Sequence, residues 1–291
     1  MYNLIEHNEE RTIAESIVVI VKIGKYAKED ENGNLILKTK VLKDRAFDKG
    51  IKICTTHPWS SQRTIFSQGS GFFIAEGIIA TAAHTILDAN SYKNTNCSQI
   101  RFIVNFDHLP QDKSEVLIKA EKVFKPIDIW DKIPPAYFDY TSTNQDWALI
   151  PVVPNMKDKS APVFPPALPM LNTSVSKNDR VKCIGHPFGL PSKVSNVGNV
   201  IRVDSELEYF EASIGAFAGN SGAPIIETST NKVVGILTRG LGQMSLSADG
   251  ECIQLDDVRL LFEGEECQKL NFVIPPLDRL RIDHLGTPIT I

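Results

Sequence analysis

An all-β fold built from two β units is what this sequence predicts, and three observations predict it. Short β-branched and aromatic runs bounded by turn residues recur along the chain, helical periodicity is nearly absent, and a cluster of prolines divides the runs into two sets. The first set is SIVVIVKIG, LILKTKVL, GFFIAEGIIATAAH, IRFIVNF and WALIPVV, and the second is RVKCIGH, KVSNVGNVIRV and KVVGILTRG. Between them fall Pro151, Pro154, Pro162, Pro165, Pro166 and Pro169. Proline has no N–H to donate, so a central strand is not expected to run through them. The expected organisation is an N-terminal extension over 1–16, a first β unit over 17–150, a linker over 151–169, and a second β unit with a C-terminal tail over 170–291.

Each remaining element has a local reason. NLIEHNEERTIAES and the segment beginning at His84 read as short helices. In KEDENGN, Asn32-Gly33 suits the positive φ angles of a tight hairpin turn. The aromatic, proline-bearing stretch 124–145 has no clear periodicity and reads as an elaborated loop. Asp256-Asp257 with Glu263, Glu265 and Glu266 reads as a solvated, mobile loop, since the spacing of an EF-hand is missing. Residues Met1 to Ser16 either lie on the surface or cover a cleft and impose latency.

Composition narrows the function. The net charge of −4, from 31 basic and 35 acidic residues, lacks the basic footprint of a nucleic-acid binder. The apolar run IVVIVKI is far shorter than the roughly 20 residues that span a bilayer. The opening MYNLIEHNEER shows no basic-then-apolar leader. The five cysteines form no C-x-x-C pair and no zinc-ligand spacing. A chain without metal or cofactor is the expectation, cytoplasmic, or exported if a leader has been removed. The one disulfide weighed is Cys252–Cys267, which would close a loop of about 15 residues.

The sharpest chemical signal is Gly219-Asn220-Ser221-Gly222-Ala223-Pro224. Glycines on both sides of a serine remove the Cβ atoms that block close approach. The N–H groups of Gly219 and Ser221 can then face one point as an oxyanion hole while the Ser221 hydroxyl attacks a carbonyl. A serine hydroxyl needs a base to take its proton. His84, in Thr81-Ala82-Ala83-His84, ends an apolar strand and supplies an imidazole. Asp146, opening the strand Asp146-Trp147-Ala148-Leu149-Ile150, supplies an acid to orient it.

TAAH, DWALI and GNSGAP, in that order, resemble the chymotrypsin/trypsin-like serine endopeptidases from about Ile17 to Pro275. GHPFGLP and the run from Ala218 to Gly240 are most similar to the bacterial branch that includes glutamyl endopeptidases and HtrA-type proteases. The resemblance implies two packed six-stranded antiparallel β-barrels with the active site between them, a polypeptide substrate, and an acyl-enzyme formed by Ser221 with His84 and Asp146. It also implies specificity-pocket residues: Gly215 on the floor, Ala216 and Phe217 on one wall, and Thr238, Arg239 and Gly240 on the other.

Some residues depart from the animal branch. Asn220 stands where that branch has the aspartate that captures a freed N-terminus. Thr85 and Gly69 stand at the two positions of a cystine. Gly215 offers no counter-charge for lysine or arginine, so a small or apolar side chain before the scissile bond is expected, with an acidic one held by Arg239 as the alternative. The function weighed against the peptidase is a catalytically silent module of the same fold that binds peptides or proteins.

Overall fold

A computed structural model describes residues 3–4, 8–87, 97–127, 138–141, 145–156, 163–171, 174–204, 206–240, 244–255, 264–270, 281–282 and 288–289. The first barrel is formed by β1 (Ile17–Lys22), β2 (Ser67–Ala75), β3 (Ile78–Thr81), β4 (Ile100–Val104), β5 (Val123–Pro126) and β6 (Gln145–Pro154). Its strands pair antiparallel in the order β5-β4-β1-β2-β3-β6, and β6 returns to β5 to close it. The second barrel comprises β7 (Arg180–Gly185), β8 (Gly198–Val203), β9 (Tyr209–Ala212), β10 (Pro224–Glu227), β11 (Lys232–Arg239) and β12 (Glu265–Lys269). Its order is β7-β8-β9-β12-β11-β10, closed by β10 on β7. Closure leaves neither set of strands with an open edge.

The run IVVIVK is apolar on consecutive positions because both faces of β1 are covered. Val18 and Ile20 point into the first barrel, whereas Val19 and Val21 pack under a separate sheet. That sheet is made of Ala27–Glu29, Leu35–Val41, Arg63–Ile65 and Glu115–Ile118, so LILKTKVL is a strand outside the barrel. Its hairpin turns at Asn32-Gly33 as expected, with Gly33 at φ +84°.

A third cluster joins the barrels. Phe72, Ile78, Trp147 and Leu149 of the first pack with Ile184, Ile226, Val233 and Ile236 of the second. Ile13 and Ala14, from helix α1 (Asn8–Ala14), enter the same cluster. Glu10 on α1 pairs with the buried Lys182 of β7 at 2.8 Å, and Asn3–Leu4 pairs with Lys193–Val194. The described part of the extension thus lies along the second barrel.

Two expectations about the connection need adjusting. β6 runs through Pro151 to Pro154, because neighbouring residues supply the donors that Pro151 lacks: Val152 N–H bonds Gly77 O at 2.8 Å, and Pro151 O accepts Ile127 N–H at 3.0 Å. Beyond it, residues 163–171 bridge the barrels through Leu168 N–H to Phe73 O (2.9 Å) and Leu171 N–H to Val233 O (2.8 Å). At His84 there is a single 3-10 turn, Ala83–Thr85, and residues 88–96 lie outside the described residues. The stretch 124–145 contributes β5 and the strand Phe138–Thr141, which pairs with β6, while 128–137 and 142–144 lie outside the description.

The disulfide expectation is overturned. Cys252 is bonded to Cys54, joining residues 198 apart in sequence, and Cys267 is a buried free thiol. Cys267 sits inside the second barrel on β12. Cys252 belongs to a hairpin, Met244–Leu246 with Ile253–Leu255, which bonds to residues 52–54.

Candidate active site

His84 is held by the turn after β3. Thr81 Oγ1 donates to Ser70 O at 2.7 Å, and Thr85 Oγ1 donates to Ala82 O at 2.8 Å. Asp146, near the start of the adjacent β6, is 2% exposed. One carboxylate oxygen accepts the His84 backbone N–H at 3.0 Å and the other lies 2.6 Å from Nδ1. This two-point grip fixes the ring, and with Nδ1 donating to the carboxylate, Nε2 is left as the acceptor. The second barrel also reaches this point, since Asp146 N–H donates to Gln268 Oε1 at 3.3 Å.

Ser221 lies in a tight turn before β10 whose glycines take left-handed angles, φ +100° at Gly219 and +88° at Gly222. Ala218 O accepts Phe188 N–H at 2.5 Å. In a trans peptide the N–H points opposite the carbonyl, so the Gly219 N–H faces away from Phe188. Among the described residues, neither the Gly219 nor the Ser221 N–H donates to a protein acceptor.

Close backbone packing brings the two turns together. Ser70 N–H donates to Ser221 O at 2.8 Å. A Cβ on Gly222 would lie 2.1 Å from both Ser70 O and Thr81 Oγ1, and one on Gly69 would lie 2.5 Å from Thr85 Cγ2 and 2.8 Å from Ser221 O. The residue after His84 and the carbonyl of Ser221 therefore flank the same glycine. Among the described residues the Ser221 hydroxyl makes no hydrogen bond to His84, and contacts of this kind commonly tighten when substrate binds.

A cavity of about 200 Å³ adjoins Ser221, lined by Phe188, Ala216, Phe217, Ala218, Leu237, Thr238, Arg239, Gly240, Met244 and Glu265. It contains every residue expected on its walls. Gly215, expected on the floor, is buried but is not among the lining residues. Arg239 lies 3.7 Å from Glu266, so its charge is partly matched by a neighbour. A second cavity of about 350 Å³ is lined by Gly219 and by helix α2 (Leu42–Phe47), and shares Phe188, Ala218 and Met244 with the first. Phe217 of the first cavity and Leu42 of the second belong to one small core with Ile53, Trp59, Leu190 and Leu255.

Glu265 and Glu266 do not belong to a solvated loop. They open β12, and Glu265 is 3% exposed because β9 and β11 flank it. Burial pushes its pKa up to about 8. The sequence EECQK carries no strand-like alternation that would have marked it, since its one apolar position is Cys267. Residues 256–263 lie outside the description. His186 is fully buried with Nδ1 3.2 Å from Leu190 O, and burial pulls its pKa down to about 4, so it is neutral at ordinary pH.

The model of the trypsin-like peptidase domain matches residues 69–236, more than half of the chain. The chain belongs to the trypsin-like peptidases. No curated protein matches it. Among solved structures, the active form of the Rv3671c protease from M. tuberculosis is 14% identical with a TM-score of 0.48, covering 97% of this chain and 86% of that one. Deg5 is 14% identical with a TM-score of 0.47, over 92% of this chain and 90% of that one. A serine endoprotease from Yersinia pestis is 15% identical with a TM-score of 0.48, over 93% and 64%. In this trypsin-like chain, the positions that the resemblance assigns to a cystine of the animal branch, Gly69 and Thr85, are in direct contact, and the threonine methyl fills the space a bridge would take.

Proposed function

We propose that this trypsin-like chain is a serine endopeptidase that cleaves polypeptides through an acyl-enzyme. Ser221 attacks the scissile carbonyl, and His84 Nε2 takes the hydroxyl proton and returns it to the leaving amine. Asp146 holds the ring and stabilises the imidazolium formed during attack. The N–H groups of Gly219 and Ser221 receive the oxyanion. The observation that carries the reading is the buried two-point contact between Asp146 and His84, set against the Ser221 turn by the glycine contacts at 69 and 222.

The cavity beside Ser221 is read as the site for the side chain preceding the scissile bond. The cavity lined by Gly219 and α2 takes the leaving-group side. The Cys54–Cys252 bridge favours an oxidising compartment over the cytoplasm. The test is labelling by a fluorophosphonate together with peptide hydrolysis. Ser221→Ala is expected to abolish labelling and to lower kcat by several orders of magnitude, leaving about 10³-fold catalysis over water. Hydrolysis unchanged in that variant, or a folded wild-type chain that neither labels nor cleaves, would reject the proposal in favour of a binding module.

A further inference from the structure

The cavity beside Ser221 holds an acid for which the proposed catalytic machinery has no use. Glu265 lines it while being 3% exposed. Its carboxyl presses on Gly240, where a Cβ would lie 1.1 Å from Oε2, so a side chain at 240 would occupy the carboxyl's place. Among the described residues no donor bonds this carboxyl, and the nearby Arg239 is directed to Glu266 at 3.7 Å. A carboxyl in so dry a place is costly to ionise unless an opposite charge reaches it, and its position on the cavity wall leaves it facing whatever enters. The walls leading to it include Phe188, Ala216, Phe217 and Leu237, which suit a methylene stem ending in a charged tip.

We propose, resting on the peptidase reading above, that this cavity accepts a lysine or arginine side chain at the position before the scissile bond, with Glu265 receiving its cationic tip. The counter-charge missing at Gly215 is supplied from β12 instead, by a residue far from it in sequence.

Glu265 is also what makes the selection depend on pH. Arg239 on β11 and Glu266 on β12 offset one another, and Glu211 on β9 bonds Arg202 at 3.0 Å. The Cys267 thiol is pushed well above its usual range by burial and stays neutral. In the empty cavity the Glu265 carboxyl keeps its proton up to about pH 8. A seated cation displaces that proton, so binding of a cationic side chain strengthens about tenfold per pH unit below that point and levels off above it.

The experiment compares kcat/KM for two peptides that differ only in lysine or norleucine before the cleaved bond, from pH 6 to 9. The wild-type ratio of lysine to norleucine is expected to rise with pH and flatten near 8. Glu265→Gln is expected to lower the ratio at pH 8.5 by about 30-fold or more. In parallel, 4-aminobenzamidine, a cation that mimics arginine, is titrated into folded Ser221→Ala and into Ser221→Ala/Glu265→Gln, with binding expected in the first and lost in the second. A flat ratio in the wild type, or a ratio and benzamidine affinity unaltered by Glu265→Gln, overturns the inference even if cleavage remains dependent on Ser221. Cleavage led by acidic side chains and abolished by Arg239→Ala also overturns it. Benzamidine binding that requires Glu265, in a chain that cleaves neither peptide, supports the pocket and rejects the peptidase reading.

Discussion

Replacing Cys54 and Cys252 together by alanine opens a covalent link spanning 198 residues, between the segment preceding Arg63–Ile65 and the hairpin that carries Met244. In the chain-entropy model a loop of that size lowers the entropy of the unfolded chain by about 18 cal/mol/K, or about 5 kcal/mol at 25 °C. Spread over the unfolding entropy of a chain this long, that corresponds to a fall in Tm of about 8 °C. The backbone bonds Cys54 N–H to Ile253 O (2.9 Å) and Ile253 N–H to Lys52 O (2.7 Å) survive the substitution, so the hairpin stays docked and the loss is carried by the unfolded state. The assay is thermal unfolding of wild type and double variant, each with and without a phosphine reductant. It is paired with a thiol count in denaturant without reductant. Wild type should show three reactive thiols and a reductant-sensitive Tm, and the variant should be indifferent to reductant. Five thiols in the wild type, or a Tm unmoved by both reductant and substitution, would refute the reasoning.

Two further outcomes follow from backbone packing and from buried titratable groups. Gly222→Ala forces a Cβ to within 2.1 Å of Ser70 O and Thr81 Oγ1 at a φ of +88°. It should cost about 3 kcal/mol or more in urea unfolding and weaken fluorophosphonate labelling, whereas a loss below about 1 kcal/mol would contradict the contact. For pH, His186 titrates near 4 in the native chain against 6.5 when unfolded, so the stability tied to its neutral form is complete above 6.5 and lost as pH falls through 4. Glu265 keeps its proton to about 8 against 4.5 when unfolded, so its contribution is complete below 4.5 and lost as pH rises through 8. The two slopes oppose each other between 4.5 and 6.5. Between 6.5 and 8 stability should fall by up to about 1.4 kcal/mol per pH unit, and Glu265→Gln should flatten that fall. Parallel curves for the two proteins in urea unfolding at pH 6.5 and 8 would show that the carboxyl is not held neutral.

What could be read in the sequence and what could not divides along the range of the forces involved. The strands were legible because alternation and β-branching act within a few residues, and Asn32-Gly33 marked its hairpin because a positive φ is a property of the dipeptide itself. The pattern at 219–222 was legible for the same reason, since glycines at +100° and +88° are needed whatever surrounds them. Pro151 misled because the cost of a missing N–H depends on where the neighbouring strand's acceptors fall. In β6 the ladder is carried by Val152 N–H and Pro151 O. The bridge misled more strongly: Cys252 and Cys267 are close in sequence, but β12 carries Cys267 into a barrel interior while the hairpin carries Cys252 to Cys54.

Glu265 shows why specificity is harder to read than chemistry. Next to Glu263 and Glu266 it has the composition of a solvated loop, and nothing within several residues distinguishes it. Its burial is decided by the pairing of Ala212 with Glu265 across β9 and β12, and its aim into the cavity is decided by the missing side chain at Gly240, the residue after β11. Three strands must be in register before the carboxyl acquires a function. A trypsin-like chain can therefore keep a recognisable order of His84, Asp146 and Ser221 while its pocket acid moves to another strand. Such an acid is found by asking which buried carboxyl lines the cavity beside Ser221, and the residue at the family's usual floor position does not reveal it.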